Sequence, residues 1–140
     1  MSNTIPFPQE ELERRLSKVS GILDANNLDG VAEYVVFAAL WNMGQNCTAN
    51  SRLIVHKSLK DSLLKKVREK MKDWHTGDPL DPDNQLGAII SKEQYDKILG
   101  YIEVAKSEGA ELIEGGNAIN LGDGLFIEPT LFTEVSAEMI

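Results

Sequence analysis

Cysteine is almost absent. The 140-residue chain has one, Cys47, so no disulfide can close within it, and a reducing compartment is the expected setting. Long apolar runs are missing too; none reaches the ~18 residues a membrane-spanning helix needs. The N-terminus, Met-Ser-Asn-Thr-Ile-Pro, carries neither a basic n-region nor an apolar h-region, which argues against a signal peptide. A cytoplasmic protein without a membrane partner is the expectation. Positive charge is in short supply, with 14 Lys and Arg against 22 Asp and Glu and a net charge of −8. An acidic surface repels phosphate backbones, which speaks against nucleic acid as a partner. The one basic cluster (Lys65, Lys66, Arg68, Lys70 and Lys72) has the spacing of a solvated helix face. Repeats and low-complexity tracts are absent. What is there is ordinary for a globular domain, 42% hydrophobic and 26% charged residues. A chain of this length can bury roughly 70% of its unfolded surface.

The apolar pattern divides the chain. Leu12, Leu16, Val19 and Leu23 fall at steps of four, three and four, the period of one helix face, with Glu10, Glu11 and Glu13 where a helix dipole favours them. This predicts a helix ending near Asn26-Asn27. Val31 to Met43 is almost wholly apolar and too long for a typical strand, so it reads as a helix buried on most sides, stopped by Gly44. Arg52 to His56 reads as a short buried strand. Leu59, Leu63, Val67 and Met71, widened by Leu64, mark an amphipathic helix, and Gly77 to Asp83 a rigid turn-rich loop. Ser91 and Gln94 have capping-box spacing. They open a helix whose apolar face is Tyr95, Ile98, Leu99, Ile102 and Ala105, and Gly109 suits its C-cap. Ala110 to Ile113 reads as a strand and Gly115-Gly116 as a turn. Gly124 to Phe132 reads as an extended stretch in which Pro129 marks an edge or bulge. Strands alternating with helices predict an α/β arrangement.

Few residues here can carry chemistry. A lone cysteine is ordinarily a small buried hydrophobe. Cys47, however, lies in Gly44-Gln45-Asn46-Cys47-Thr48-Ala49-Asn50-Ser51, a polar connection between two apolar elements, where scaffolds tend to display reactive groups. As a nucleophile it needs an environment or a base that favours thiolate. His56 and His75 are the two histidines, and the sequence brings neither to it. They stand 19 residues apart with no second cysteine, which makes zinc a poor reading. Asp78, Asp81 and Asp83 invite calcium, but two prolines and the lack of a closing glutamate favour a plain turn. Trp41 and Trp74 read as packing residues.

The segment Gly44-Gln45-Asn46-Cys47-Thr48-Ala49-Asn50-Ser51-Arg52-Leu53 resembles the catalytic-cysteine motif of the aldehyde dehydrogenase superfamily. Further blocks resemble that family in the same order: Gly77-Asp78-Pro79, Leu86-Gly87, the helix from Ser91, Gly115-Gly116 and Phe126-Ile127-Glu128-Pro129-Thr130. The likeness runs from about Leu28 to Ile140. It implies part of a catalytic domain with a mostly parallel sheet flanked by helices, in two units: an N-terminal helical extension over 1–27 and the truncated catalytic domain over 28–140. Residues 1–27, with Pro6-Phe7, Glu10-Glu11, Arg14-Arg15, Val19 and Leu28-Asp29-Gly30 at the junction, resemble instead the start of creatinase-like, Xaa-Pro peptidase-like proteins.

The resemblance implies that Cys47 attacks an aldehyde to give a thiohemiacetal and that hydride passes to NAD or NADP. A thioester then remains for water to hydrolyse. The Cys47 N–H would serve as an oxyanion donor, and Gln94 and Lys97 match positions that approach the cofactor. Other family parts find no match. There is no Gly-rich phosphate turn between strand and helix, no Glu-Leu-Gly-Gly block carrying the activating glutamate, and no upstream oxyanion-hole asparagine. Loss of a general base typically costs ~10²–10⁴-fold in rate. The expectation is that the isolated chain gives no measurable NAD-dependent oxidation. The alternative is a non-catalytic interaction module: the helix from Val31 is apolar nearly all round, and large apolar patches favour association, so a homo-oligomer is expected.

Overall fold

The computed structural model describes residues 19–22 and 26–139. Asn27 starts the first helix, α1 (Leu28–Leu40), by accepting a hydrogen bond from Gly30 N–H on its side-chain oxygen at 3.1 Å. Asp29 sits in the first turn, where the dipole favours a negative charge. A 3-10 turn, Trp41–Gly44, follows directly. Strand β2 (Arg52–Val55) comes next, then helix α2 (Lys60–Met71). Helix α3 (Lys92–Ser107) is capped by the Ser91 hydroxyl, which accepts from Gln94 N–H at 3.3 Å. Four short strands complete the order: β3 (Glu111–Glu114), β4 (Ala118–Ile119), β5 (Phe126–Ile127) and β6 (Leu131–Thr133).

The α/β class and the helices at Leu59–Met71 and from Ser91 stand as the spacing predicts. The N-terminal helix does not extend as expected. Val19–Ile22 forms a strand, β1, paired in parallel with β2 from Val19 opposite Arg52 to Ile22 opposite Val55. Helical spacing of a few apolar residues cannot separate a helix from a short strand, and here a tertiary pairing decides. The rest of the expected helix, and the peptidase-like motif at Pro6 to Arg15, lie outside the described residues. The β1–β2 ladder also crosses the boundary expected between residues 27 and 28.

Among the described strands, parallel pairing is confined to that ladder; outside them, Thr76 and Leu86 form an isolated parallel bridge. β3 pairs with β6 and β4 with β5, both antiparallel, so the described strands form three two-stranded sheets rather than one mostly parallel sheet. The reason is connectivity. Parallel strands need a crossover of a dozen or more residues, usually a helix; α1 supplies one between β1 and β2, whereas no helix follows residue 107 among the described residues. Tight turns serve instead. Gly115 and Gly116 have φ of +68° and +91°, and a Cβ on Gly115 would lie 2.0 Å from the Pro129 carbonyl oxygen. The Thr130 hydroxyl closes this corner by accepting from Gly116 N–H at 3.0 Å and donating to the Glu128 carbonyl at 2.8 Å.

The core is the seam between α1 and α2. Ala32, Val35 and Val36 of α1 meet Leu63, Val67 and Met71 of α2, and Leu53 and Val55 of β2 pack against them. The opposite side is not buried as its composition suggests: Tyr34 and Phe37 of α1 and Trp41 of the 3-10 turn are 65%, 50% and 53% exposed. β2 is likewise half-open, with Ile54 exposed. The basic face of α2 is solvated and paired, Lys66 to Asp29 at 2.7 Å and Arg68 to Glu114 at 2.6 Å. The hydrogen bond from Lys66 holds the Asp29 carboxyl below the usual carboxylate range. At the start of α2, Lys60 bonds Glu134 just after β6 and lowers that carboxyl in the same way.

Leu63 is fully buried in the seam. Leu63→Ala should lower unfolding stability by about 2–5 kcal/mol. Urea denaturation followed by far-UV circular dichroism checks this, and an unchanged midpoint would mean the seam is not the core.

Candidate active site

The chain leaves α1 through a backbone reversal. Asn42 and Met43 have φ of +52° and +55°, and Gly44 has +69°. Only glycine adopts this region freely; each of the two side-chain-bearing residues costs of order 1–3 kcal/mol there and persists only where surroundings hold it. Local bonds hold this one. Gln45 N–H donates to the Asn42 carbonyl at 2.9 Å, and the Asn42 side-chain amide donates to the Gln45 carbonyl at 3.2 Å.

Asn46 then organises the loop around Cys47. Its amide nitrogen donates to the Trp41 carbonyl at 3.1 Å. Its side-chain oxygen accepts from the Thr48 N–H at 3.0 Å and the Thr48 hydroxyl at 2.8 Å. Its carbonyl accepts from Ala49 N–H at 3.3 Å. Cys47 therefore occupies the second position of a tight turn, between two residues bonded to each other. Beyond it Ala49 is buried and Asn50 N–H returns to the Ala38 carbonyl at 3.0 Å. Ala49 is drawn inside and the apex is not: Cys47 is a free, exposed cysteine. Its backbone N–H makes no hydrogen bond among the described residues.

Beside this loop lies a hollow of about 140 Å³ lined by Tyr34, Phe37, Ala38, Trp41, Asn46, Thr48 and Asn50. One wall is aromatic. Phe37 and Trp41 stack with centroids 6.3 Å apart, and Trp74 meets Phe37 edge-on at 6.2 Å. The other wall is the polar loop that carries Cys47. Trp41, expected to be a packing residue, stacks on Phe37 but stays half-exposed at the rim of the hollow.

The loop is also tied to the approach to α3. Met43 Sδ accepts from Gly87 N–H at 3.3 Å, and Gln45 Oε1 accepts from Ile90 N–H at 3.0 Å. No periodicity or spacing in the sequence signals these two contacts. The only hint is that Gln45 lies within the cysteine motif.

The other expected residues do not converge on Cys47. Gln94 and Lys97 are exposed on α3, with the Gln94 N–H engaged by Ser91, and neither lines the hollow. His56 is occupied by its own turn, its Nδ1 2.8 Å from the Ser58 hydroxyl. Neither histidine bonds Cys47 among the described residues. Asp78 and Asp81 accept from Leu80 and Asp83 N–H, at 2.9 and 3.0 Å, and so close the loop as turn residues do.

A helix end, a reversed backbone, an exposed cysteine on a tight turn and a strand form one continuous motif, and comparison with known proteins identifies it. The model of the aldehyde dehydrogenase family matches residues 17–140. The chain belongs to this family. It is 42% identical over 113 residues to an aminoacetaldehyde dehydrogenase of Pseudomonas aeruginosa, a match covering 81% of this chain and 22% of that protein. Among solved structures it resembles the aldehyde dehydrogenase KauB of the same organism, with TM-score 0.81, 40% identity, and coverage of 87% of this chain and 25% of the other. It also resembles a betaine aldehyde dehydrogenase of Staphylococcus aureus solved with NAD+, with TM-score 0.82, 32% identity, and coverage of 88% and 25%. The chain thus spans about a quarter of the length of these relatives. No helix among its described residues is long and apolar enough to cross a membrane.

Gly44 lacks room as well as conformational alternatives, since a Cβ there would sit 3.0 Å from the Ala39 carbonyl oxygen at φ +69°. Gly44→Ala should destabilise the fold by about 1–3 kcal/mol, read as a lower urea midpoint. An unchanged midpoint would mean that the reversal is not held as described.

Proposed function

We propose that this chain carries the nucleophile of an aldehyde dehydrogenase and part of the pocket wall, with Cys47 as the catalytic residue. The observation that supports this most directly is the exposure of Cys47 at the apex of a loop held by hydrogen bonds on one side and by the buried Ala49 on the other. In this reading the Cys47 thiolate attacks the aldehyde carbon. A C–S bond forms, the carbonyl π pair moves to oxygen, and the resulting oxyanion lies against the Cys47 N–H, a donor with no other partner among the described residues. Phe37 and Trp41 offer an apolar face for the substituent of the aldehyde. NAD or NADP is the family's oxidant, and it takes the hydride when bound. Gln94 and Lys97, both exposed on α3, are its expected contacts, and neither lines the hollow beside the Cys47 loop. The chemistry this chain's own residues carry accordingly ends at the covalent adduct.

A second reading is favoured by the exposed aromatic face of α1, with Tyr34, Phe37 and Trp41 open to solvent. Apolar surface of this kind supports association, and a homo-oligomer built on α1 is compatible with a chain that performs no catalysis.

Three measurements separate the readings. Iodoacetamide should alkylate Cys47 at neutral pH faster than it does a free thiol, propanal should slow that reaction by occupying the sulfur, and propanal with NAD should yield no NADH. A Cys47 no faster than a free thiol and indifferent to propanal would remove the catalytic reading; steady NADH formation would show that the chain completes the oxidation. Sedimentation velocity at micromolar concentration should give a dimer or larger species, and a monomer would count against the association reading.

A further inference from the structure

The loop that displays Cys47 is fastened at a third point besides its two ends. Gln45 reaches across to the segment that leads into α3, and its Oε1 accepts the Ile90 N–H at 3.0 Å. Two residues earlier Met43 does the same for Gly87 N–H at 3.3 Å. The receiving segment is itself braced. Leu86 N–H donates to the His75 carbonyl at 3.0 Å, the Leu86 carbonyl accepts from Gly77 N–H at 2.9 Å, and Ile89 N–H donates to the Leu125 carbonyl at 2.8 Å. Leu86 and Ile89 are buried. Gln45 therefore bonds to something that cannot easily follow it, which is what a clamp needs. It is also two residues from Cys47 and precedes the Asn46 turn, so the Gln45 backbone sets the plane from which the Cys47 N–H projects.

We propose that Gln45 is a positioning residue for Cys47: its hydrogen bond to Ile90 N–H fixes the Cys47 backbone so that sulfur and N–H face the same reacting carbonyl. This rests on the reading of Cys47 as nucleophile. The role is geometric. Gln45 carries no charge and touches no reacting atom, so its loss should spare reactions that need only the thiolate and impair those that also need the N–H.

Two reagents make that distinction. Iodoacetamide is attacked at a saturated carbon: the C–S bond forms as iodide leaves, and no oxyanion arises. p-Nitrophenyl acetate is attacked at a carbonyl: the C–S bond forms, charge passes to oxygen, then p-nitrophenolate leaves and an acetyl thioester remains. Gln45→Leu should lower the acetylation rate of Cys47 by roughly 2- to 10-fold relative to its alkylation rate, the range expected for one hydrogen bond. It should also speed hydrogen exchange at the Ile90 amide by a similar factor. Gln45→Glu keeps an acceptor at the same reach and should retain the Ile90 protection. If Gln45→Leu leaves the rate ratio and the Ile90 exchange unchanged while wild-type Cys47 reacts with both reagents, the clamp is wrong and the nucleophile stands. If wild-type Cys47 reacts with neither reagent, the nucleophile reading fails; Ile90 exchange still reports on the clamp as a structural tie, but the positioning role falls with it. Should Gln45→Leu fail to fold by circular dichroism, loss of Ile90 protection in Gln45→Glu overturns the proposal and its retention supports it.

Discussion

The packing of α1 on α2 governs where everything else can be. Ala32, Val35 and Val36 recur on one side of α1, and Leu63, Val67 and Met71 on one side of α2, so the two helices share one dry seam. Burial of this kind is worth roughly 1.5–3 kcal/mol for each large aliphatic side chain, which is far more than the exposed ion pairs alongside it can supply. The seam fixes the axis of α1 and hence the point from which the chain departs at Trp41. Leu53 and Val55 add β2 to the same core. Both ends of the Cys47 loop are therefore set by hydrophobic packing, and the loop must make up the difference in direction. It does so through Asn42, Met43 and Gly44 in the left-handed region, a conformation that relies on packing on either side to hold it.

Seen this way, exposure of the thiol follows from the anchoring of its neighbours. Asn46 spends its whole side chain on Trp41 and Thr48, and Ala49 is drawn into the interior. A residue between two such ties, at the corner of the turn, has nowhere to point but outward. The expectation of a cysteine displayed on a loop between apolar elements needs only the contrast between the segments, and Cys47 is exposed there.

Much of the fold was legible for the same reason. α2 and α3 carry a period of 3.6, and their buried residues, Leu63, Val67 and Met71 in one and Ile102 in the other, come from the stripes that period marks. Ser91 caps α3 with the bond its spacing predicts. The failures share a cause. Val19 and the leucines around it fit a helix stripe, yet Val19–Ile22 is paired beside β2; local spacing carries no information about a partner 33 residues away. α1 is expected to be buried on most sides because its composition is apolar nearly all round. Composition sets how much apolar surface a helix has and not how much of it is covered, and Tyr34, Phe37 and Trp41 remain open. The Gln45–Ile90 tie was invisible because it spans 45 residues between two stretches without periodicity.

The open aromatic face and the exposed thiol belong to the same physical situation. Phe37 and Trp41 stack on each other, and Trp74 meets Phe37 edge-on. An apolar wall with its rings already packed requires little further ordering when something settles on it, so a substrate substituent or another protein surface could use it at low entropic cost. The polar side of the hollow, Asn46, Thr48 and Asn50, is less adaptable, because Asn46 and Thr48 are already bonded to each other. Adaptation there would undo the turn that presents Cys47. Whatever fills this hollow must accordingly fit the loop as it stands and meet its apolar demand on the α1 side.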